Sequence, residues 1–166
     1  MTGELNDIVT HLAKVLLERH LTCATAESCT GGLIGAMLTA MPGSSNWYLG
    51  GVISYANSVK EALLSVPKNA LEDSGAVSEP VVRAMASGVC LSTGADASMS
   101  VSGIAGPSGG SAEKPVGTVW IGLCLAGETR AEKFHFSGDR TSVRMQAARQ
   151  AMKNLTSWIE QTPMER

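Results

Sequence analysis

The stretch Thr25-Ala26-Glu27-Ser28-Cys29-Thr30-Gly31-Gly32 joins two segments of different periodicity. A short apolar run, 21–26, precedes it, and apolar residues at helical spacing follow it from Leu33 to Met41. This pattern predicts a strand, a tight polar turn and a helix. Free N–H groups at a helix start attract anions, and small residues let a ligand approach closely. Because the turn also carries an acid, hydroxyls and a thiol, it predicts either a nucleophile or a ligand-binding surface.

The composition is that of a globular protein, and the 166 residues predict one domain, 1–166. Apolar residues make up 44% and charged residues 17%, which are values typical of a folded protein. The sequence also has no segment that is polar and biased enough to be disordered. A net charge of −2 and an aromatic content of 4% argue against binding to nucleic acid or to acidic membranes. The sequence has neither a membrane-spanning apolar run nor a signal peptide, so we expect a cytoplasmic protein.

The cysteine and histidine patterns argue against disulfide and metal chemistry. The four cysteines lack C-x-x-C spacing, which favours reduced thiols, and the three histidines are scattered, which makes a zinc site improbable. We therefore predict no metal site and no cofactor.

Helical and strand-like segments alternate through the first part of the chain, and a hairpin follows near Gly127-Glu128. This order predicts an α/β fold, a three-layer α/β/α sandwich with a mixed, mostly parallel sheet. The almost unbroken apolar run 116–125 should be a central strand. The predicted helices are 4–20, one from Leu33, 56–65, a short one from Pro67, one from Pro80 to about Gly94, and one after Asp139; the predicted strands are 21–26, 47–55, 96–102, 116–125 and 130–136.

Tyr55 and Lys60 lie at a predicted strand-to-helix junction, where they can form a proton-transfer unit if the turn brings them together. Desolvation or a nearby cation would lower the pKa of the lysine and make it a usable base. An exposed helical lysine is the simpler alternative. Ser44 and Ser45 precede this segment by about ten residues; they fit a turn or a helix cap, but a serine beside a neutral lysine can also attack a carbonyl carbon.

Two further segments suit an anion. The loop from Gly103 to Ser111 is rich in glycine and follows a predicted strand, although an ordinary loop fits it equally well. Arg140 and Arg144 are four residues apart in the first turns of the last helix, where positive charge opposes the helix dipole. An anion between Arg140 and the glycine loop would remove this penalty. The simpler alternatives are a solvated surface or a partner such as Glu27 or Glu79.

Four segments together resemble the CinA C-terminal-domain family. They are Ala26-Glu27-Ser28-Cys29-Thr30-Gly31-Gly32, Val77-Ser78-Glu79-Pro80-Val81-Val82, Ser102-Gly103-Ile104-Ala105-Gly106-Pro107 with Lys114-Pro115-Val116-Gly117-Thr118-Val119, and Gly138-Asp139-Arg140. The resemblance extends from about Leu5 to Trp158. The family often has an acidic residue or glycine where this chain has Ser108. Some relatives carry an additional N-terminal domain, and the length here resembles the stand-alone form.

The resemblance implies an amidase that converts nicotinamide mononucleotide and water into nicotinate mononucleotide and ammonia, within pyridine-nucleotide recycling. It implies a catalytic set of Ser45, Tyr55, Lys60 and Ser28, with Ser45 as nucleophile and Lys60 as base, directly or through Tyr55. The expected substrate-binding residues are Glu27, Thr30, Gly31, Gly32, Asn57, Gly103, Ile104, Ala105, Gly106, Gly109, Gly110 and Arg140. The expected partner is the small-molecule nucleotide.

Several alternatives stay open at this point. Ser28 keeps a possible direct catalytic role. Cys29 is a rival nucleophile, because a helix N-terminus lowers a thiol pKa. A silent nucleotide-binding or regulatory module would keep the pocket without activity, whereas a scaffold protein would not need glycine loops beside paired arginines. A homo-oligomer is also possible, and Met145, Met152 and Trp158 fit either the core or an interface, with the core favoured.

Overall fold

The computed structural model describes residues 3–163, which form one five-stranded sheet and six α-helices. In chain order the elements are α1 (Gly3–Glu18), β1 (Cys23–Glu27), α2 (Leu33–Thr39), a 3-10 turn (Ser44–Asn46), β2 (Tyr48–Ile53), α3 (Asn57–Leu64), α4 (Lys68–Ser74), α5 (Glu79–Thr93), β3 (Ala97–Gly103), β4 (Thr118–Leu125), β5 (Glu128–His135) and α6 (Arg140–Gln161). Residues 1, 2 and 164–166 of the predicted domain lie outside the described range.

The sheet has the order β2-β1-β3-β4-β5 and is mixed, as predicted. The pairs of β1 with β2 and with β3 are parallel, whereas the pairs of β3 with β4 and of β4 with β5 are antiparallel. Four strands therefore run in one direction and β4 runs against them. The two antiparallel pairings are the predicted β4–β5 hairpin and the pairing of β3 with β4.

Helices cover both faces of the sheet, so the predicted three-layer sandwich is confirmed. The core on one face joins α1, α2 and α6 to the sheet, and the core on the other face joins α4 and α5 to it. Every residue of β1 is buried, because helices pack on both of its sides. Met152 and Trp158 are buried and Met145 packs against the same core, as favoured from the sequence.

The predicted element boundaries agree with the structure to within a few residues. Asp139 caps α6 by accepting a hydrogen bond from the Ser142 N–H, as expected from its side chain. Pro67 immediately precedes α4 instead of opening it. The apolar strand β4 lies between β3 and β5, one position from the sheet edge. Among residues 3–163, no helix is long and apolar enough to cross a membrane.

Candidate active site

The ε-amino group of Lys60 contacts the hydroxyl of Ser28 in the interior of the protein. The Lys60 Nζ and Ser28 Oγ atoms are 3.1 Å apart. Ser28 follows directly on β1, and Lys60 lies in the first helix after β2. Because β1 and β2 are parallel, their carboxyl ends lie at the same edge of the sheet. The topology therefore brings together two residues that are 32 positions apart in the sequence.

Lys60 is buried without a carboxylate partner. Its side chain is 1% exposed, and Nζ donates to the carbonyl oxygens of Ser54 (2.7 Å) and Tyr55 (3.3 Å). Burial lowers the pKa of Lys60 below its ordinary value, because the charged form loses hydration; a weaker interaction with Cys29 opposes this effect. The prediction of a lysine tuned by desolvation is consistent with this environment, and the alternative of an exposed helical lysine is wrong.

The Ser28 hydroxyl and Lys60 face a cavity of about 190 Å³ at the carboxyl ends of the strands. Three larger cavities, of about 300 to 510 Å³, lie along α6. One of them is lined by Lys153 and Ser157, but that lysine is exposed and forms an ion pair with Glu4. Of these cavities, the one beside Ser28 is therefore the candidate active site, because a buried lysine contacts a serine hydroxyl in its wall. Its lining residues are Ser28, Cys29, Tyr55, Asn57, Lys60, Ala76, Val77, Ser102, Gly103, Ala105 and Arg140.

Ser45 lies at the amino end of β2, whereas Lys60 lies beyond its carboxyl end, so the prediction that Ser45 is the nucleophile beside Lys60 is wrong. Ser45 belongs to the exposed 3-10 turn before β2, whereas Lys60 follows β2. The six residues of β2 separate the two positions by about 20 Å, at roughly 3.3 Å per residue. Ser45 does not line the cavity. The serine that contacts Lys60 is Ser28.

Glu27 stabilises the turn that carries Ser28, and the expectation that it binds substrate is wrong. Its side chain is 2% exposed. One carboxylate oxygen accepts from the N–H groups of Gly32 (3.0 Å) and Ile34 (3.1 Å), and the other accepts from that of Gly35 (2.9 Å). The anion expected at the start of this helix is therefore supplied by the protein itself.

Thr30, Gly31 and Gly32 were also expected to contact substrate, but the Thr30 side chain and both glycines lie outside the cavity. The Gly31 N–H donates to the Ser28 carbonyl (3.0 Å), and the Gly32 N–H donates to Glu27. The Thr30 side chain is fully buried, and its hydroxyl has no partner among the described residues. None of the three lines the cavity. Positive φ values of 59° and 98° explain why glycine occupies positions 31 and 32.

The two arginines of α6 have different roles in the structure. Arg144 donates to the carbonyl oxygens of Cys29 (3.0 Å) and Thr30 (2.9 Å), so it supports the turn. Arg140 donates to the Gly106 carbonyl (2.8 Å) and to the Tyr55 hydroxyl (3.1 Å) at the cavity. Over residues 3–163, neither arginine forms an ion pair with a carboxylate. The suggested partners Glu27 and Glu79 are engaged elsewhere.

Tyr55 is placed at the cavity, but not as a relay. Its hydroxyl accepts from Arg140, whereas its carbonyl oxygen accepts from Lys60. The side chain is 63% exposed, so it lies at the mouth of the cavity. The expected relay from Ser45 through Tyr55 to Lys60 is not formed, and the serine that Lys60 contacts, Ser28, is reached directly. Asn57 lines the cavity as expected.

The glycine loop contributes only its first residues to the cavity. Gly103 and Ala105 line it, and Gly106 accepts from Arg140 through its carbonyl. Ile104 does not line the cavity, and its backbone is engaged within the protein, since its N–H donates to the Thr118 carbonyl and its carbonyl accepts from the Gly117 N–H. Gly109 and Gly110 lie outside the cavity, so their expected role in substrate binding is not supported; at Gly110 a Cβ would approach the Val116 nitrogen to 2.7 Å.

Cys29 lines the cavity but is a poor nucleophile. Burial raises the pKa of its thiol to about 11, and this effect exceeds the opposing influence of Arg144. Lys60 forms its hydrogen bond with the neighbouring Ser28 hydroxyl. The negative charge of Glu27, which accepts the N–H groups at the helix start, also raises the pKa of this thiol.

Ser102 lines the cavity but was not among the predicted site residues. Ser98 and Ser100 on the same strand donate to carbonyl oxygens of α5. Ser102 continues this alternation to the end of β3, where it lines the cavity. Its position at the carboxyl end of a strand parallel to β1 is a signal that the sequence contained. Within the described residues, no group of three His, Cys, Asp or Glu side chains is arranged to hold a metal ion.

The fold and the site define an α/β protein whose reactive side chains lie beyond the carboxyl ends of parallel strands. The profile of the family described as the CinA C-terminal domain matches residues 5–159. The chain belongs to this family, as the resemblance indicated.

Relatives and solved structures agree with this assignment. A protein of Enterobacter agglomerans named nicotinamide-nucleotide amidohydrolase PncC is 56% identical over 129 residues, which are 77% of each chain. A CinA-like protein of Desulfotalea psychrophila is 48% identical over 90% of this chain, which spans only 36% of that relative's length. The solved structure of a CinA superfamily protein from Klebsiella pneumoniae has a TM-score of 0.92 and 35% identity, over 95% of this chain and 99% of that one.

Proposed function

We propose that this chain hydrolyses the carboxamide of nicotinamide mononucleotide to nicotinate mononucleotide and ammonia. The observation that carries the proposal is the contact between Lys60 Nζ and Ser28 Oγ, 3.1 Å long, at the wall of a cavity. The 56% identical relative that is named a nicotinamide-nucleotide amidohydrolase supports this choice of substrate. Ser28 is the proposed nucleophile, and Lys60 is the proposed general base.

The three contacts of Lys60 fit both of its protonation states. In the charged form Nζ donates to Ser28 Oγ and to the carbonyl oxygens of Ser54 and Tyr55. After loss of one proton, the two carbonyl oxygens still accept the remaining N–H groups, and the lone pair of the neutral amine can then accept the Ser28 hydroxyl proton. Because burial lowers the pKa of Lys60, the neutral form is available at a lower pH than for a solvated lysine.

The turn that follows Ser28 supplies backbone N–H donors for the negatively charged oxygen of the tetrahedral intermediate. The N–H groups of Cys29 and Thr30 follow the nucleophile directly and donate to no oxygen of residues 3–163. In the proposed reaction they bind the oxygen of the tetrahedral intermediate, an interaction worth roughly 3–4 kcal/mol when well aimed. Arg144 and Glu27 hold the turn on its two sides and keep these donors in place.

The proposed reaction has two balanced steps. Ser28 Oγ forms a bond to the carboxamide carbon while its proton passes to Lys60; the C–N bond then breaks and Lys60 returns the proton to the leaving nitrogen, which departs as ammonia. Water, with Lys60 again as base, attacks the resulting ester and releases the acid and the free Ser28 hydroxyl. The chemistry requires water as the only second substrate.

The remaining lining suggests how the substrate binds. Ala76, Val77 and Ala105 give an apolar wall for the pyridine ring, and the Ser102 hydroxyl is available to the carboxamide. Arg140 has no carboxylate partner in the described chain, so we assign it to the phosphate. Tyr55 orients Arg140 at the mouth of the cavity. The free cysteines suit a reducing compartment, so we place the reaction in the cytoplasm.

Ammonia release measured by a coupled assay tests the function directly. The purified chain should release ammonia from nicotinamide mononucleotide and much less from free nicotinamide, which lacks the phosphate for Arg140. Ser28→Ala, prepared in the same way, controls for contaminating amidases. Binding of the mononucleotide without any ammonia release would support a silent binding module and contradict the proposal. Activity that survives in Ser28→Ala but is lost in Cys29→Ala would support the thiol alternative.

A further inference from the structure

Arg144 donates to two consecutive peptide carbonyls of the turn that carries Ser28. Its Nε atom is 3.0 Å from the Cys29 carbonyl oxygen, and its Nη2 atom is 2.9 Å from the Thr30 carbonyl oxygen. The guanidinium presents its N–H groups in a rigid plane, which suits two neighbouring acceptors. Hydrogen bonds from a charged donor are also roughly twice as strong as neutral ones. The two contacts therefore bring a positive charge against one side of the turn.

The first contact acts on the N–H group of Thr30. The Cys29 carbonyl and the Thr30 N–H belong to one peptide unit, in which resonance couples the oxygen and the nitrogen. Within residues 3–163 the cis peptide bond is the one before Pro107, so this unit is trans and its N–H points away from Arg144. A positive charge at the oxygen draws electron density from the nitrogen. The Thr30 N–H therefore becomes a stronger donor towards an anion.

The second contact reaches the Cys29 N–H through a chain of peptide units. The Thr30 carbonyl shares a unit with the Gly31 N–H, which donates to the Ser28 carbonyl at 3.0 Å. The Ser28 carbonyl in turn shares a unit with the Cys29 N–H. Hydrogen bonds in such a chain polarise one another, by about 10–30% for each bond. Arg144 is therefore connected to both of the N–H groups that we assign to the oxyanion.

The charge of Arg144 is not neutralised by a carboxylate. Among residues 3–163 this side chain forms no ion pair, and it lies near the start of α6, where a cation opposes the helix dipole. Its field is felt at the turn: burial raises the pKa of the Cys29 thiol to about 11, and Arg144 opposes that increase. The contacts with the turn carbonyls offset the unfavourable position and direct the charge towards the turn.

On the basis of the proposed amidase reaction, we infer that Arg144 strengthens both oxyanion donors and thereby accelerates the chemical step. The carboxamide oxygen gains a full negative charge only after Ser28 has attacked, so stronger donors stabilise the tetrahedral intermediate more than the bound substrate. Arg144 does not line the cavity, so it acts through the turn as a positioning residue. This role differs from that of Arg140, which lines the cavity and is assigned to the phosphate.

Steady-state kinetics of Arg144→Met test this role. Loss of one oxyanion-hole donor lowers kcat by about 10²–10³-fold; this variant weakens both donors but removes neither, so kcat should fall by about 10- to 100-fold. KM should change by less than about threefold, because the bound substrate gains little from the donors. The matched control is Lys153→Met, which removes a positive charge from the same helix. Lys153 is exposed and pairs with Glu4, so this variant should keep the wild-type kcat.

Two further variants separate the effect of the charge from simple support of the turn. Arg144→Lys and Arg144→Gln can each donate to a turn carbonyl, but only the lysine is charged. The lysine variant should therefore keep a larger part of the wild-type kcat than the glutamine variant. Circular dichroism and thermal melting establish that the variants are folded. Equal kcat values for the folded lysine and glutamine variants, or a wild-type kcat in Arg144→Met, would overturn the inference.

NMR of the amide protons supplies a measurement that does not depend on turnover. The probe is pyridine-3-boronic acid: the Ser28 oxygen adds to boron, its proton passes to Lys60, and a negatively charged tetrahedral adduct forms. The amide protons of Cys29 and Thr30 should then move downfield in the wild type, and less in Arg144→Met. Equal shifts in the two proteins, or none in the wild type, would overturn the inference. Shifts that differ as expected in a chain that releases no ammonia from the mononucleotide would contradict the proposed function and leave the role of Arg144 intact.

Discussion

Glu27→Gln should destabilise the protein strongly, although it removes only a charge and keeps the side-chain shape. The carboxylate accepts three N–H groups, from Gly32, Ile34 and Gly35, through both of its oxygens. A glutamine has one accepting oxygen, and its NH₂ group would face at least one of these donors. A buried donor left unsatisfied costs about 1–3 kcal/mol, and losing charge assistance costs roughly 1 kcal/mol for each remaining bond. We expect a loss of about 3–4 kcal/mol.

Chemical denaturation and thermal melting measure this loss. A domain of this size changes its Tm by about 2–4 °C per kcal/mol, so the Tm should fall by roughly 10 °C. The control is Glu79→Gln, which removes an exposed ion pair with Arg83 and should cost less than about 1 kcal/mol. If the two variants were equally stable, the assignment of Glu27 to the support of the Ser28 turn would be refuted.

The remaining predictions concern the chemistry. Lys60→Met should lower turnover by at least about 10³-fold, since the general base is lost. In the wild type, kcat/KM should rise with pH as the proton leaves Lys60, at a pH below the ordinary lysine value of about 10.4, because its pKa is lowered; a flat profile would argue against a titrating lysine. Arg140→Ala should raise KM for the mononucleotide more than for the phosphate-free riboside, and equal effects would remove Arg140 from the phosphate site. Cys29→Ala should keep most of its activity, and its inactivation would reopen the thiol mechanism.

The architecture could be predicted because periodicity and turn residues are local signals. The helix and strand segments, the cap at Asp139 and the turn at Gly127 all follow from a few neighbouring residues. The pairing of the strands is not local. The hairpin at Gly127 predicts the pairing of β4 with β5, but the sequence pattern did not show that β4 also pairs with β3 across the loop 104–117.

The position of the nucleophile could not be inferred from spacing. Ser45 precedes Lys60 by only 15 residues, which suggested proximity, yet β2 lies between them and carries the chain across the sheet. Ser28 is much farther away in sequence but follows a strand parallel to β2. The rule that parallel strands end at a common edge groups Ser28, Lys60 and Ser102, and it is more informative here than distance along the chain.

The sequence also could not predict which polar groups hydrogen-bond to each other inside the protein. Glu27 and the two glycines of the turn have the residue types of a ligand site, but their hydrogen bonds stabilise the turn itself, and the Thr30 side chain is buried away from the cavity. Arg140 and Arg144 have the same sequence context at the start of the last helix, so their different roles could be recognised only from their contacts in the structure. Arg144 contacts carbonyl oxygens of the turn, whereas Arg140 lines the cavity.

The central claim is that Ser28, activated by Lys60, is the nucleophile. The most direct measurement is the rate of ammonia release from nicotinamide mononucleotide by Ser28→Ala and Ser45→Ala, each compared with the wild-type chain. The account predicts a loss of at least about 10³-fold for Ser28→Ala, with the mononucleotide still bound, and near-normal turnover for Ser45→Ala. An active Ser28→Ala variant, or a folded Ser45→Ala variant that is inactive, would contradict it.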